Sequence, residues 1–270
     1  MMRLSETFRN LSERGEKALI TYVMAGDPDL SQTAQIVPAL ESAGADIVEL
    51  GVPFSDPVAD GPIIQQAAQR ALQQGVTLAK ILELSAALRH QVRLPLVLMS
   101  YYNPIHAFGI EHFFKTARAV GISGLIVPDL PIEEAGPFLI QQQRHQIHLV
   151  FIVAPTTPPE RAARICRRSS GFVYYVSLTG VTGAHIQDRA DAIARIRALK
   201  EMTPHPVAAG FGIATPQEAN EIAAEADGVI VGSALVKIIG TAASDPDYLS
   251  RLTTFVSSLK VATRQKRPLS

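Results

Sequence analysis

Glu49 stands inside Ile47-Val48-Glu49-Leu50-Gly51, an otherwise apolar run with the composition of a strand. Strand side chains alternate between faces, so Ile47 and Glu49 share one side and Val48 and Leu50 the other. On either side the carboxylate lies among hydrophobic groups. Removal from water disfavours its charged form and raises its pKa, giving a carboxyl able to donate and accept a proton near neutrality. The Pro/Gly-rich loop that follows carries two more carboxylates, Asp56 and Asp60, ahead of Gly61-Pro62. Together they outline an acid/base site. Each also has a plainer reading: Glu49 in an internal ion pair, Asp60 as the N-cap of a helix begun by Pro62, Asp56 as a turn former between Ser55 and Pro57.

A second group of residues suits an anion. Ala209-Gly210-Phe211-Gly212-Ile213 and Gly232-Ser233 each close an apolar run. Glycine lets backbone N–H groups approach an oxyanion, and a short helix starting at Ser233 would aim its positive end there. A lone glycine at a strand end is ordinarily a turn; the pair at neighbouring strand ends points to phosphate. Thr179-Gly180-Val181-Thr182-Gly183-Ala184, hinged by glycine at both ends, reads as a lid. The lysines, Lys17, Lys80, Lys115, Lys200, Lys237, Lys260 and Lys266, avoid the predicted strand ends, which argues against a Schiff-base aldolase. The 7 histidines show no metal-ligand spacing, so no metal is expected. Cys166 lies in an Arg-rich helical segment and has no evident chemical role.

These residues need a frame. Apolar runs at 18–25, 47–51, 96–100, 124–127, 149–153, 172–177, 207–210 and 229–232 read as strands. Helical periodicity fills 30–44, 62–74, 77–89, 110–120, 132–145, 159–168, 189–202 and 216–225, with a closing helix at 248–263. Prolines 28, 62, 131, 158 and 216 stand near predicted helix starts, where they cost no hydrogen bond. Almost wholly apolar strands alternating with helices imply a parallel sheet covered on its outer face. Eight such units in 270 residues predict an α/β fold, a single (β/α)8 TIM barrel spanning 1–270, with a doubly wound open sheet as the alternative. Leu4, Phe8 and Leu11 predict an extra N-terminal helix within 1–17 that caps the barrel floor, and 264–270 reads as a disordered tail. In such a barrel the active site lies at the C-terminal strand ends. That rule places Glu49, Asp60, Asp129 and one of Tyr174 or Tyr175 around one mouth.

Composition narrows the partners. Lys plus Arg and Asp plus Glu both number 25, which leaves no electrostatic footprint for nucleic acid or an anionic membrane. A single cysteine permits no internal disulfide and suits a reducing cytoplasm. The polar first 17 residues are no secretory signal, and no apolar run reaches membrane-spanning length. What remains is proton transfer by carboxylates on a small phosphorylated substrate.

The chain resembles the tryptophan synthase alpha subunit family. The resemblance rests on Tyr22-Val23-Met24-Ala25-Gly26-Asp27-Pro28, the run from Glu49 to Pro62, Pro128-Asp129-Leu130-Pro131, Tyr174-Tyr175-Val176-Ser177 with Gly180-Val181-Thr182-Gly183, Gly210-Phe211-Gly212-Ile213, and Gly232-Ser233-Ala234-Leu235-Val236-Lys237. It implies retro-aldol cleavage of indole-3-glycerol phosphate to indole and glyceraldehyde 3-phosphate, a carbon–carbon lyase reaction without a cofactor. Glu49 would be the general acid/base, Asp60 the partner of the indole N–H, and Tyr174 a residue orienting the substrate. Tyr22, Tyr101, Leu125, Asp129, Thr182 and Phe211 would line the substrate site, and Gly183, Gly212, Ile213, Gly232 and Ser233 would cradle the phosphate. The family's partner is a beta subunit that holds pyridoxal phosphate, in an alpha2-beta2 heterotetramer, with the loops carrying Pro53, Asp56 and Thr182 facing it. Met24 and Leu178 depart from the family pattern, where threonine and a basic residue are common; both bear on lid closure and communication with the partner. Three other readings stay open: a free-standing lyase, a non-catalytic regulatory subunit that keeps the phosphate cup, and an isomerase on a related barrel.

Overall fold

The computed structural model describes residues 4–176, 186–210 and 212–264. Its strands are β1 (Ala18–Met24), β2 (Ile47–Gly51), β3 (Leu96–Met99), β4 (Ile122–Ile126), β5 (His148–Val150), β6 (Ile152–Val153), β7 (Val173–Val176), β8 (Val207–Gly210) and β9 (Gly228–Val231). They form one sheet in the order β5-β4-β3-β2-β1-β9-β8-β7-β6, and every pairing is parallel. Only Phe151 separates β5 from β6, so the two ends of that order are one stretch of chain. One edge of this stretch pairs with β4 and the other with β7, which closes the sheet into a TIM barrel. The eight predicted runs therefore each occupy a barrel position, and the open-sheet alternative falls away.

Period-two alternation divides the buried residues into two sets. Leu19, Val48, Leu50, Leu98, Leu125, Leu149 and Val229 pack outward among the helices. Ala18, Ile20, Ile47, Val97, Ile126, Val150, Phe172, Ala208 and Ile230 fill the lumen. The expected cap is the helix Leu4–Glu13. Its Leu4, Phe8 and Leu11, at i, i+4 and i+7, form one apolar stripe that plugs the floor of the lumen, with Phe8 5.7 Å from Phe172.

The helix starts follow local chemistry. Asp29 and Thr77 cap the helices Leu30–Ser42 and Leu78–Leu88, and Thr215 with Glu218 forms a capping box on Pro216–Ala223. Two details differ from expectation. The helix expected from residue 132 begins at Gly136, because 131–135 is taken by a turn closed from Glu134 N–H to the Pro131 carbonyl. The short helix Tyr102–Phe108 was not expected. Its first N–H is held from outside by Asp129, at 2.8 Å from Oδ1, a tertiary bond that local sequence does not signal.

The floor ends of β1 and β2 are tied together. Asp46 Oδ2 accepts the Leu19 N–H at 2.7 Å and the ammonium of buried Lys260 at 2.8 Å; Lys260 also lies 3.3 Å from Glu16. This joins the helix Tyr248–Arg264 to the two strands that carry Tyr22 and Glu49. Among the described residues, no helix is long and apolar enough to cross a membrane.

Candidate active site

Glu49 lies in the lumen, one layer above Ile47, with Tyr22 of β1 and Val97 of β3 beside it in register. It is 1% exposed, and neither carboxylate oxygen has a hydrogen-bond partner among the described residues. Among the described residues no cation pairs with it, so an internal ion pair is not what holds Glu49 there. Burial, with the nearby charge of Asp60 adding to it, pushes the carboxyl up to about 8. At neutral pH Glu49 holds its proton.

Asp60 sits in the loop after β2 and is half-buried. Its carboxylate is not the N-cap of the helix Pro62–Gln73; that position belongs to Gly61, without a side-chain cap bond. Asp60 is instead turned toward the site, where the Tyr101 hydroxyl donates to it and burial pushes it up to about 6. The same hydroxyl accepts the Ala59 N–H at 2.9 Å, and the Tyr101 ring packs 5.4 Å from Phe54. These contacts fix the loop, so that two carboxyls in one mouth have separated pKa values. The upper one is suited to donate a proton and the lower one to remain charged.

Three tyrosines complete the wall. Burial and the neighbouring Glu49 and Asp60 charges hold the Tyr22 and Tyr174 hydroxyls well above the usual phenol range, so both remain donors. Tyr174 rather than Tyr175 faces the lumen; Tyr175 points outward and is 1% exposed. The Tyr174 hydroxyl lies over Gly210, where a Cβ would meet it at 3.1 Å. Tyr22 lies across Gly51 more tightly, since a Cβ on Gly51 would stand 2.1 Å from the hydroxyl oxygen and 2.6 Å from Cζ. Gly51→Ala must therefore displace the ring. We expect a loss of ~1–3 kcal/mol in urea unfolding, typical of overpacking, together with weaker substrate binding; an unchanged midpoint would mean that the ring does not cross the strand end.

The remaining expected residues divide by position. Leu125 is buried but packs outward with Leu98 and Leu149, so it does not reach the lumen; its neighbour Ile126 does. Adjacent strand residues face opposite sides, so Leu125 and Ile126 cannot both line the lumen. Met99 and Ile126 stand level with Gly51 by register, and with Ile152 they extend the apolar wall near Tyr174. These three went unrecognised in the sequence, although counting by two across the barrel from Glu49 would have found them. Asp129 is exposed and is engaged by the Tyr102 N–H. Pro53 is buried, whereas Asp56 is exposed and accepts from the Ser55 hydroxyl.

Gly212 and Ile213 follow β8, and Gly232 and Ser233 open the helix Ser233–Ile239 after the adjacent β9. Gly212 has φ +56°, a left-handed conformation that glycine adopts without strain. First-turn N–H groups of a helix have no partner within it, so the two strand ends present donors at one side of the mouth. Thr182, Gly183, Phe211 and Leu178 lie outside the described residues, as does most of the tail 264–270. Met24 is buried at the end of β1.

Other placements carry less chemistry. A cavity of about 600 Å3 lies below the barrel floor, against Phe8, Lys17, His148 and Lys200, at the strand ends opposite Glu49. Its lysines are already engaged by Asp227, Lys200 at 2.7 Å and Lys17 at 3.7 Å. Among the described residues, no group of three or more His, Cys, Asp or Glu side chains is placed to hold a metal ion.

The family model described as tryptophan synthase alpha chain matches residues 8–264. The tryptophan synthase alpha chain of Geobacter sp. (strain M21) is 50% identical over 260 residues, covering 96% of this chain and 97% of that one. The alpha chain of Arabidopsis thaliana is 46% identical over 260 residues, covering 96% and 94%. Among solved structures, tryptophan synthase subunit alpha from Legionella pneumophila str. Paris superposes with a TM-score of 0.89 at 36% identity, covering 97% of this chain and 98% of that chain. A ligand-free tryptophan synthase from M. tuberculosis gives 0.88 at 35%, covering 98% and 100%. A TIM barrel that matches the family model over residues 8–264, and these relatives along nearly its whole length at 46% and 50% identity, belongs to the tryptophan synthase alpha chain family.

Proposed function

We propose that this chain cleaves indole-3-glycerol phosphate to indole and glyceraldehyde 3-phosphate, as the alpha subunit of tryptophan synthase in tryptophan biosynthesis. The observation that carries the reading furthest is the buried Glu49, without a hydrogen-bond partner among the described residues, beside an Asp60 whose carboxyl ionises about two pH units lower. Protonated Glu49 delivers its proton to the ring carbon that bears the glyceryl chain. The ring becomes an indolenine with positive charge on nitrogen, and Asp60, ionised, accepts its N–H and stabilises that charge. Glu49, now a carboxylate, takes the proton of the glyceryl hydroxyl. The hydroxyl carbon becomes a carbonyl as the carbon–carbon bond breaks, and the bonding electrons return to the ring. Glu49 finishes protonated, as it began.

Tyr174 orients the substrate, while Tyr22 and Tyr101 wall the indole. Gly212, Ile213, Gly232 and Ser233, with Gly183, receive the phosphate; Thr182 belongs to the lid, and Phe211 joins Tyr22 and Tyr101 in walling the indole. These steps use only side chains and backbone of the chain itself, and pyridoxal phosphate belongs to the partner beta subunit. Contact with that partner falls on the exposed part of the loop after β2, around Asp56 and Val58, the latter 84% exposed. The alpha2-beta2 assembly and a cytoplasmic setting follow from the same reading. A non-catalytic subunit would have no use for a desolvated carboxyl without a partner, which burial penalises.

The test is indole release from indole-3-glycerol phosphate by the purified chain, with and without a beta subunit. Release that rises on adding the partner is the expected result. No release from folded protein under either condition would refute the lyase reading, and a rate indifferent to the partner would refute the subunit role.

A further inference from the structure

We infer that Arg70 is a positioning residue that sets the span between Asp60 and the phosphate-binding strand ends. The inference rests on the function proposed above. Arg70 lies in the helix Pro62–Gln73, which starts two residues after Asp60; eight residues on, it is about 12 Å along the axis. Its Nε and Nη2 donate to the two carboxylate oxygens of Asp27 at 2.7 and 2.8 Å. Asp27 is 1% exposed and stands in the turn directly after β1, the strand that carries Tyr22. A two-pronged bond of this kind fixes direction as well as distance.

The same guanidinium reaches a third element. A Cβ on Gly240 would lie 3.1 Å from Nη2, so Arg70 passes against the C-terminal end of the helix Ser233–Ile239. A cation is favourable at that negative end. The helix begins at Ser233, in the proposed phosphate cup, and it packs directly on the helix Pro62–Gln73 and on β1. One side chain thus braces the helix behind Asp60, the end of the Tyr22 strand and the helix behind the phosphate cup. Asp60 holds one end of the substrate and the cup holds the other. Removing Arg70 leaves each end formed but frees the distance between them. It also leaves Asp27 buried without its cation, so some loss of stability accompanies the change.

A general loss of structure and a loss of span can be separated by ligand length. Calorimetric titration of wild type, Arg70→Lys and Arg70→Ala would use three probes: indole, glycerol 3-phosphate, and a non-cleavable indolylpropyl phosphate that contains both ends. We expect Arg70→Ala to bind the spanning probe at least tenfold more weakly than wild type and each fragment within about twofold, with Arg70→Lys intermediate. Equal weakening of fragments and spanning probe, or no weakening of any, overturns the inference. Should Arg70→Ala fail to fold, Arg70→Lys decides by the same comparison. Wild type that fails to bind the spanning probe overturns the underlying lyase reading, a result visible without any variant.

Discussion

Glu49→Gln will lower turnover by about 10³- to 10⁴-fold, near the upper range for losing a general acid/base, while ligand binding and fold persist. The amide has nearly the size of the acid but no proton to deliver and no basic oxygen with which to take one from the glyceryl hydroxyl. The substitution should also reveal what the buried acid does to stability. Its folded-state pKa is about 8 against 4.5 for an ordinary glutamate, so between those values the folded chain retains a proton that the unfolded chain releases. Stability contributed by the protonated acid is complete below about pH 4.5 and is lost as pH rises toward 8, at roughly 1.4 kcal/mol per unit. Glu49→Gln removes that slope, so its unfolding midpoint should gain on wild type as pH increases from 5 to 8. Parallel midpoints over this range would mean that the carboxyl is not desolvated as described, and retention of most activity would remove Glu49 from its role.

Much of this could be read before any coordinates, for reasons that differ between residues. The barrel strands are short, β-branched and apolar on both faces, so periodicity and length identify them together. Glu49 is conspicuous because a charged residue in such a strand breaks the pattern. Other features depend on contacts made across the fold. Nothing adjacent to Asp60 distinguishes a helix cap from a ligand; the distinction comes from Tyr101, on a different strand end. The helix Tyr102–Phe108 needs Asp129 to hold its first N–H, and the Arg70–Asp27 bond spans 43 positions. Leu125 and Ile126 are equally apolar, so hydrophobicity alone could not say which faces the lumen. Strand register decides it.

Asp60→Asn should reduce kcat/KM by about 10²- to 10³-fold, in line with removing one electrostatic contact to developing charge, and its pH profile should be more diagnostic than its rate. In wild type, activity requires Asp60 charged and Glu49 protonated. It should therefore rise through about pH 6 as Asp60 ionises and fall through about pH 8 as Glu49 loses its proton. Asparagine still accepts the indole N–H through Oδ1, so substrate can bind, but it neither titrates nor opposes the positive nitrogen. The acidic limb should disappear. The alkaline limb should also move to lower pH, because the Asp60 charge is one of the two causes holding the Glu49 carboxyl up, and with it gone only burial remains. A variant that keeps an acidic limb near pH 6 would assign that limb to another group. An alkaline limb that stays in place would show that the two carboxyls do not sense one another, and the division of labour between them would then lack its electrostatic basis.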